Sequence, residues 1–181
     1  MIKEFSARVN PSNNKARTVF IALLVSAAIV TLVYMWAPLY KGIIGTVDIA
    51  LIAAAVFIYT KYMSSIFYYD ITFDYRGEPI LVVRQITGRR QSTLARVGLR
   101  EIRSVEMETA ASRKEHKTPL GTRKYVYTPT LAPETTCLIK VITPYETSEI
   151  RIECSDQFAE MLRAYSSEAK TMIFSPDDEE E

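Results

Sequence analysis

Two long apolar stretches near the beginning of the chain constrain its fold more than any other feature. Between Arg17 and Lys41 lie 23 consecutive uncharged residues, and the 19 residues of Gly42–Thr60 contain one charged side chain, Asp48. A helix rises about 1.5 Å per residue, so each stretch is long enough to cross a hydrocarbon core about 30 Å thick. The sequence therefore predicts two membrane-spanning helices.

The junction between the two stretches has the composition of a turn. Pro38 and Gly42 favour turns, Lys41 adds a charge, and aromatic side chains stand beside them, as they do at membrane interfaces. A signal peptide is the rival interpretation of the first stretch, but its apolar run is too long and no cleavage pattern of small residues follows it. We therefore predict a transmembrane hairpin over residues 18–62, with spans at about 18–38 and 42–61.

Basic residues next to the spans predict the orientation of the hairpin. The N-terminal tail, residues 1–17, carries four basic side chains and one acidic one, more basic residues follow the second span, and the junction carries only Lys41. Because loops rich in lysine and arginine stay in the cytoplasm, we expect a multi-pass protein of the cell (inner) membrane with both termini cytoplasmic.

Composition excludes several classes of function. The net charge of +1 argues against nucleic acid as a partner, because neutralising phosphates requires a large basic excess. Two cysteines make neither a disulfide framework nor a zinc motif. The chain contains no phosphate-binding loop and no dinucleotide-binding motif. We therefore predict no enzymatic activity and no cofactor.

Beyond residue 65 the apolar pattern changes to the period of two that half-buried strands show. Tyr69, Ile71, Phe73 and Tyr75 alternate with polar residues and predict a strand with these four side chains on one face. Further antiparallel strands are predicted in the runs ILVVRQIT and QSTLARV, with a turn at Gly88 between them, in residues 102–108 and around residues 125–127.

The last predicted hairpin joins the runs CLIKVIT and SEIRIEC. Pairing Thr143 with Ser148 makes the apolar faces of both strands agree and places Cys137 opposite Cys154. Opposed cysteines can be oxidised, but in a cytoplasmic domain we interpret them as buried thiols.

The chain ends with a predicted helix and an acidic segment. Residues 155–168 begin with Ser155, a good N-cap, and carry an apolar stripe at helical spacing. Residues 171–181 end in SPDDEEE, which is typical of a solvated, disordered tail; the alternative is an acidic segment that attracts a basic partner.

The order of these segments resembles the bacterial pleckstrin-homology-like (PH-like) membrane proteins. A hairpin leading into FYYDITFDY and ILVVRQITGRR, then LREIRSVEME, the CLIKVIT and SEIRIEC hairpin and the helix from SDQFAEML carry the resemblance. It implies an α+β membrane protein: a transmembrane helical hairpin followed by a small antiparallel β-barrel or sandwich, residues 66–170, capped by a C-terminal helix. The long stretch between residues 108 and 136 departs from a simple strand connection.

His116 is the only histidine, and it lies in a polar segment that contains glycine and proline. A metal or catalytic site would need partners from elsewhere in the chain, and catalytic groups do meet in space from distant positions. We interpret His116 as an ordinary loop histidine.

Basic residues cluster in the same region. On a domain held under an anionic leaflet they form a candidate surface for anionic-lipid headgroups, although charged loops are more often simply solvated. This candidate surface consists of Arg89, Arg90, Arg113, Lys114, Lys117, Arg123 and Lys124. The run YVYTPTLAPETT that follows is a candidate edge strand, where a partner peptide can add.

Within the hairpin, small residues and one carboxylate are candidates for helix packing. Gly45 and Ala53 permit close approach of helices, and Asp48 lies near the interface, within reach of water or of Lys41. An intramembrane carboxylate can also carry a proton or an ion, which is the alternative.

These features predict a non-enzymatic, membrane-anchored interaction or scaffold module. Its β domain is expected to bind a partner protein, another copy of the chain or lipid headgroups, and tethering raises the effective concentration for each of these. The alternative is an accessory subunit of a larger transport or envelope complex, with the hairpin itself as the assembly contact.

Overall fold

The computed structural model describes residues 3–9, 13–36 and 41–171, and they fall into two compact units. One unit is helical and consists of residues 11–65 together with 129–132; the other is a β domain formed by the rest. The predicted turn at Pro38 and the predicted acidic tail lie outside the described residues, except for Thr171, which ends the last helix.

The helical unit contains the two predicted apolar helices. Helix α1 runs over Asn13–Trp36, and α2 over Lys41–Ile58 continues into a π-helical turn at Tyr59–Met63. Two segments, Asn14–Trp36 and Lys41–Met63, are long and apolar enough to cross a membrane, and little of either is buried in the protein. The prediction of two such helices is confirmed.

Small side chains pack the two helices together, but not all of those predicted. A Cβ placed on Gly45 would lie 3.6 Å from the ring of Tyr34, and Ala27 and Ala55 are buried. Ala53 is exposed, so it does not pack within the hairpin. Ala55 lies two residues, or about 200° of helical turn, further along α2, which places the two alanines on opposite sides of the helix.

Asp48 contacts the other helix and not the lysine at the helix start. The Thr31 hydroxyl donates to Asp48 Oδ2 at 2.9 Å, while Lys41 Nζ lies 5.9 Å above the ring of Tyr34. The buried Oδ1 atom has no hydrogen-bond partner among the described residues. Asp48 is therefore a polar contact between α1 and α2.

The β domain consists of two four-stranded sheets and a C-terminal helix. Sheet A has the strand order β1-β2-β3-β4, and sheet B has the order β5-β7-β8-β6. Within the described residues the sheets do not join into a closed barrel. The strands are β1 Phe5–Val9, β2 Ser65–Phe73, β3 Pro79–Thr87, β4 Arg90–Gly98, β5 Ile102–Thr109, β6 Thr122–Tyr127, β7 Thr135–Ile142 and β8 Thr147–Ile152.

Strand β1 is an addition to the sequence prediction, which assigns these residues to a basic tail. It pairs antiparallel with β2, with Val9 opposite Phe67 and Phe5 opposite Ile71. The ring of Phe5 lies 5.8 Å from that of Phe158. The helical hairpin is thus inserted between two adjacent strands of one sheet, and both of its ends connect to the same end of that sheet.

Strand β6 departs from the expected antiparallel arrangement, because it pairs parallel with β8. A parallel strand cannot follow a tight turn; the chain must cross the sheet first, usually over about a dozen residues. Residues 110–121 make this crossing between β5 and β6, the two edge strands of sheet B. The prediction that the run YVYTPTLAPETT contains an edge strand is confirmed for its tyrosines.

The register of the last hairpin also differs from the prediction. Ile142 pairs with Thr147, and Cys137 lies opposite Ile152 rather than Cys154. Thr143 begins the loop, because its backbone N–H donates to the Glu146 carbonyl at 3.0 Å and its hydroxyl accepts from the Glu146 N–H at 3.1 Å. This shift changes each partner but keeps the same side chains facing inward, since faces alternate with period two.

The core of the β domain lies between the inner faces of both sheets and helix α4, Asp156–Thr171. Tyr69 is completely buried; its hydroxyl donates to the Tyr127 carbonyl at 2.7 Å and accepts from the Glu153 N–H at 3.3 Å. The predicted inner face of β2 holds for Tyr69 and Ile71, whereas Phe73 is partly exposed and Tyr75 lies beyond the strand and is exposed.

Helix α4 also covers the edge of sheet B. Arg163 Nε donates to the Val105 carbonyl at 2.6 Å, and Lys170 Nζ donates to the Ile102 carbonyl at 2.6 Å. These bonds occupy carbonyls on β5 that an added strand would otherwise use.

Candidate functional site

The crossing segment is shaped by local capping. Thr109 ends β5 and caps the short helix α3, Ala110–Glu115: its hydroxyl accepts from the Ser112 N–H at 3.3 Å, and Ser112 Oγ accepts from the Thr109 N–H at 2.9 Å. The His116 N–H then donates to the Ser112 carbonyl at 2.9 Å. The reciprocal Thr109–Ser112 bonding starts the helix, and the chain leaves it at His116, where it crosses the outer face of sheet B.

His116 lies between two glutamates from different strands. Its Nε2 atom lies 3.0 Å from Glu149 Oε1 on β8, and its Nδ1 atom lies 3.5 Å from Glu108 Oε1 on β5. Both ring nitrogens therefore face carboxylates.

Two more side chains complete this ionic cluster, which comprises Glu108, His116, Thr118, Glu149 and Arg151. Arg151 Nε donates to Glu108 Oε2 at 2.9 Å, and the Thr118 hydroxyl donates to Glu149 Oε2 at 2.8 Å. Both carboxylates and the guanidinium are buried. Each buried carboxylate thus has a basic side chain beside it, Arg151 for Glu108 and His116 for Glu149, as a buried ionic group requires.

This arrangement holds the crossing segment against the sheet. It leaves no nitrogen of His116 and no carboxylate oxygen of the two glutamates free to bind a ligand. The two ring nitrogens of His116 and both oxygens of each glutamate already have partners. Among the described residues no group of three or more histidine, cysteine, aspartate or glutamate side chains has metal-binding geometry. The interpretation of His116 as an ordinary loop histidine is corrected: it anchors the crossing segment.

Glu149 predicts how this anchor depends on pH. Burial on its own raises the pKa of Glu149, but hydrogen bonds from Thr118 and His116 outweigh it and hold the pKa below its ordinary value of 4.5. A carboxyl with a lowered folded pKa contributes stability that is fully present above the unfolded pKa and is lost as the pH falls through the folded pKa.

We expect Glu149→Gln to lower the unfolding free energy by about 1–3 kcal/mol at pH 6, the loss expected for hydrogen bonds to a charged group. The difference from the unmodified protein should shrink below pH 4.5. Urea unfolding from pH 6 to pH 3 measures it; a difference that stays constant over that range would show that the Glu149 charge does not stabilise the fold.

The seven basic residues predicted as one surface fall into separate groups. Arg113 donates from Nη2 to the Pro133 carbonyl at 2.7 Å, and Arg123 pairs with Glu146 at 3.1 Å. Lys114 follows the end of β5, whereas Arg123 and Lys124 lie at the start of β6. Because β5 and β6 run in the same direction, these groups occupy opposite ends of sheet B.

Arg89 and Arg90 lie at a distinct place in sheet A. They belong to the turn between β3 and β4, in which Thr87 pairs with Arg90 and Gly88 has a φ of 59°, a value that favours glycine. Strand β2 begins just after the helical segment, runs to the turn at residues 74–78, and β3 returns from it. The exposed Arg89–Arg90 turn therefore lies at the end of sheet A to which both helices connect.

The outer face of sheet A forms an open groove of about 900 Å³. Asp70 lies in it, and its two carboxylate oxygens accept from the Ser6 hydroxyl and from Arg84 Nε. The guanidinium of Arg84 in turn lies 5.8 Å from the ring of Tyr68. The Asp70 charge is thus neutralised by neighbours within the sheet.

The two cysteines are buried and unbonded. The neighbouring Cys137 thiol and burial raise the pKa of Cys154. They are diagonal neighbours on β7 and the segment after β8, since Cys137 pairs with Ile152. Their interpretation as buried thiols agrees with the structure.

No protein-family model, no curated protein and no solved structure matches this chain.

Sequence reasoning missed the ionic cluster because its members come from three separate segments. Glu149 and Arg151 alternate with Ile150 and Ile152, which is the pattern of a solvated strand face. The one available signal was the unusual length of the connection that contains His116.

Proposed function

We propose that the chain is a non-enzymatic interaction module, anchored in the inner membrane by its helical hairpin, with a PH-like β domain in the cytoplasm. The domain contacts anionic-lipid headgroups of the inner leaflet through the exposed Arg89–Arg90 turn. Protein partners and other copies of the chain are the other contacts that such a tethered domain can make.

The observation that carries the proposal is the position of the Arg89–Arg90 turn. Strand β1 ends at Val9 before the first helix, and β2 begins at Ser65 after the second, so both connections leave the same end of sheet A. Along the chain, only a few residues separate that end of the sheet from each helix. Each arginine near an anionic surface contributes about 1 kcal/mol of attraction.

The test measures binding of a short-chain phosphatidylglycerol to the full chain in neutral detergent micelles. Exchanging both arginines in the variant Arg89→Gln/Arg90→Gln removes about 2 kcal/mol, so we expect the affinity to fall about 30-fold. Thermophoresis of the labelled protein reports the dissociation constant.

The matched control is Arg123→Gln/Lys124→Gln, which changes the net charge equally at the start of β6. We expect this variant to bind the lipid within about two-fold of the unmodified chain. An equal loss of affinity in both variants would mean that lipid binding depends on net charge alone. Unchanged affinity in Arg89→Gln/Arg90→Gln would exclude the turn as the contact.

A second candidate function, assembly through the hairpin, is favoured by the exposed apolar surface of α1 and α2. Ala53 is exposed, so Ala53→Leu alters that surface without touching the packing inside the hairpin. If the hairpin binds other subunits, Ala53→Leu should reduce co-purification of membrane partners. Ala55→Leu, at a buried position, should instead destabilise the hairpin itself. Unchanged co-purification with Ala53→Leu would exclude that face.

A further inference from the structure

The end of sheet B next to the β7–β8 turn presents apolar side chains to solvent. Leu120 and Tyr145 are almost fully exposed, and Ile142 is 49 % exposed. The turns that carry Leu120 and Tyr145 lie at the same end of the sheet, because Ile142 and Thr122, the strand residues next to these turns, both pair with Thr147 on β8. Isolated exposed apolar side chains are ordinary, but a contiguous group of them marks an interaction surface.

The turns that carry Leu120 and Tyr145 are each closed by hydrogen bonds. The Thr122 N–H donates to the Pro119 carbonyl at 3.2 Å across Leu120 and Gly121, and Gly121 has a φ of 82°. The turn that carries Tyr145 is closed by the Thr143–Glu146 bonds described above. These side chains are therefore displayed on rigid supports, which lowers the entropic cost of binding.

Basic side chains border the apolar group. Lys117, Arg123 and Lys124 are exposed. Lys117 follows His116, which is fixed over Glu149, and Lys124 pairs with Glu149 in the sheet register. We name this surface, consisting of Leu120, Ile142, Tyr145, Lys117, Arg123 and Lys124, the turn patch.

The residues that follow α4 have the complementary composition. Thr171 ends the helix, and the chain continues with Met172, Ile173 and Phe174 and then, after Pro176, with five consecutive acidic residues, 177–181. Apolar residues come first and acidic residues second.

The same segment starts close enough to the turn patch to reach it. Lys170 Nζ contacts the Ile102 carbonyl, and Ile102, Val141, Ser148 and Arg123 form one row across sheet B. Strands lie about 4.8 Å apart, so this row is about 14 Å wide. The ten residues of 172–181 extend to about 33 Å, which exceeds that width.

The order along the segment matches the order across the sheet. A chain leaving α4 beside β5 meets Ile142 and the turn of Tyr145 first, and the basic residues of β6 afterwards. We propose that residues 172–181 dock on the turn patch of the same molecule, with the apolar residues against Ile142, Tyr145 and Leu120 and the acidic residues against Lys117, Arg123 and Lys124.

Hydrogen–deuterium exchange of the full chain in neutral detergent micelles tests this docking against a chain that ends at Thr171. Peptides covering residues 119–124 and 143–147 should exchange about ten-fold more slowly in the full chain, as expected when a side chain such as Phe174 leaves water. Exchange that is the same in both chains would overturn the proposal.

A patch variant tests the other side of the contact. Leu120→Ser/Tyr145→Ser should accelerate hydrogen–deuterium exchange within residues 172–176. High salt should also accelerate this exchange, because it screens the attraction between the acidic residues and the basic side chains. Tyr75→Ser is the matched control, because Tyr75 is an equally exposed aromatic residue in a turn of sheet A. An equal effect of Tyr75→Ser would overturn the assignment to the turn patch.

Two other outcomes identify a different occupant. Protection of the turn patch that persists in the chain ending at Thr171 would show that the micelle or another surface covers it. Protection that increases with protein concentration would show docking onto a second copy. Either result overturns docking within one molecule, and neither depends on lipid binding by Arg89 and Arg90.

Discussion

A soluble protein made by joining residues 3–10 to residues 66–171 through an Asn-Gly turn should fold as a monomer. Val9 pairs with Phe67, and in the joined chain one residue on each side separates this pair from the two-residue Asn-Gly turn, a turn that closes such hairpins. Residues 66–171 alone should be about 2 kcal/mol less stable, because the apolar surface that Phe5, Ala7 and Val9 cover, each of them only partly buried, returns to water.

The loss follows from the contacts of β1. Phe5 packs against Phe158, Ala7 and Val9 pack against the core, and the Ser6 hydroxyl donates to Asp70. Without β1, the long edge of β2 also becomes unpaired, which favours aggregation.

Urea unfolding followed by circular dichroism measures both proteins. The matched control keeps the Asn-Gly turn but carries residues 3–9 in scrambled order, and it should be no more stable than residues 66–171 alone. If residues 66–171 match the joined protein, β1 is dispensable and the hairpin is not an insertion in the sheet.

Glu108→Ala should have the second large effect, a loss of about 3–5 kcal/mol in the unfolding free energy, because it leaves a buried partner charge uncompensated. Arg151 is buried, and its Nε donates to Glu108 at 2.9 Å. The same substitution removes one of the two carboxylates that hold His116.

Glu106→Ala is the matched control on the same strand. Glu106 also forms an ion pair, with Lys140 at 3.0 Å, but its side chain is 49 % exposed. Exposed pairs contribute at most about 1 kcal/mol, so this variant should be nearly as stable as the unmodified protein.

Urea unfolding of the joined soluble protein, or pulse proteolysis of the full chain in micelles, measures both variants. Similar small losses for Glu108→Ala and Glu106→Ala would mean that water reaches Glu108 and that the crossing segment does not seal it. A double exchange, Glu108→Leu/Arg151→Met, should recover much of the loss, since apolar replacements of a buried pair are often neutral.

The apolar helices and most strands of this protein are predictable from local patterns. The length of the two apolar stretches identifies α1 and α2, and the alternation around Tyr69, Ile71, Ile139 and Ile150 identifies buried strand faces. Helix length and side-chain period are properties of a few neighbouring residues, so one sequence is sufficient to recognise them.

Strand β1 is not predictable in this way. Its five residues, FSARV, alternate too briefly to distinguish a strand from a basic tail, and the whole helical hairpin separates it from its partner β2. The register of the β7–β8 hairpin shows the same limit, because two registers give identical faces and only the Thr143 turn bonds distinguish them.

Of the candidate sites, too, some are predictable from the sequence and others are not. The exposed Arg89–Arg90 turn follows from glycine and charge in the sequence, and so do the apolar and acidic residues after Thr171. The sequence by itself therefore determined the helical pair, most of the strands and the composition of the surfaces. Only the tertiary structure decided that Glu108, His116, Glu149 and Arg151 form one buried cluster, because the parallel β6 forces the chain across sheet B and encloses charges that alternation alone assigns to solvent.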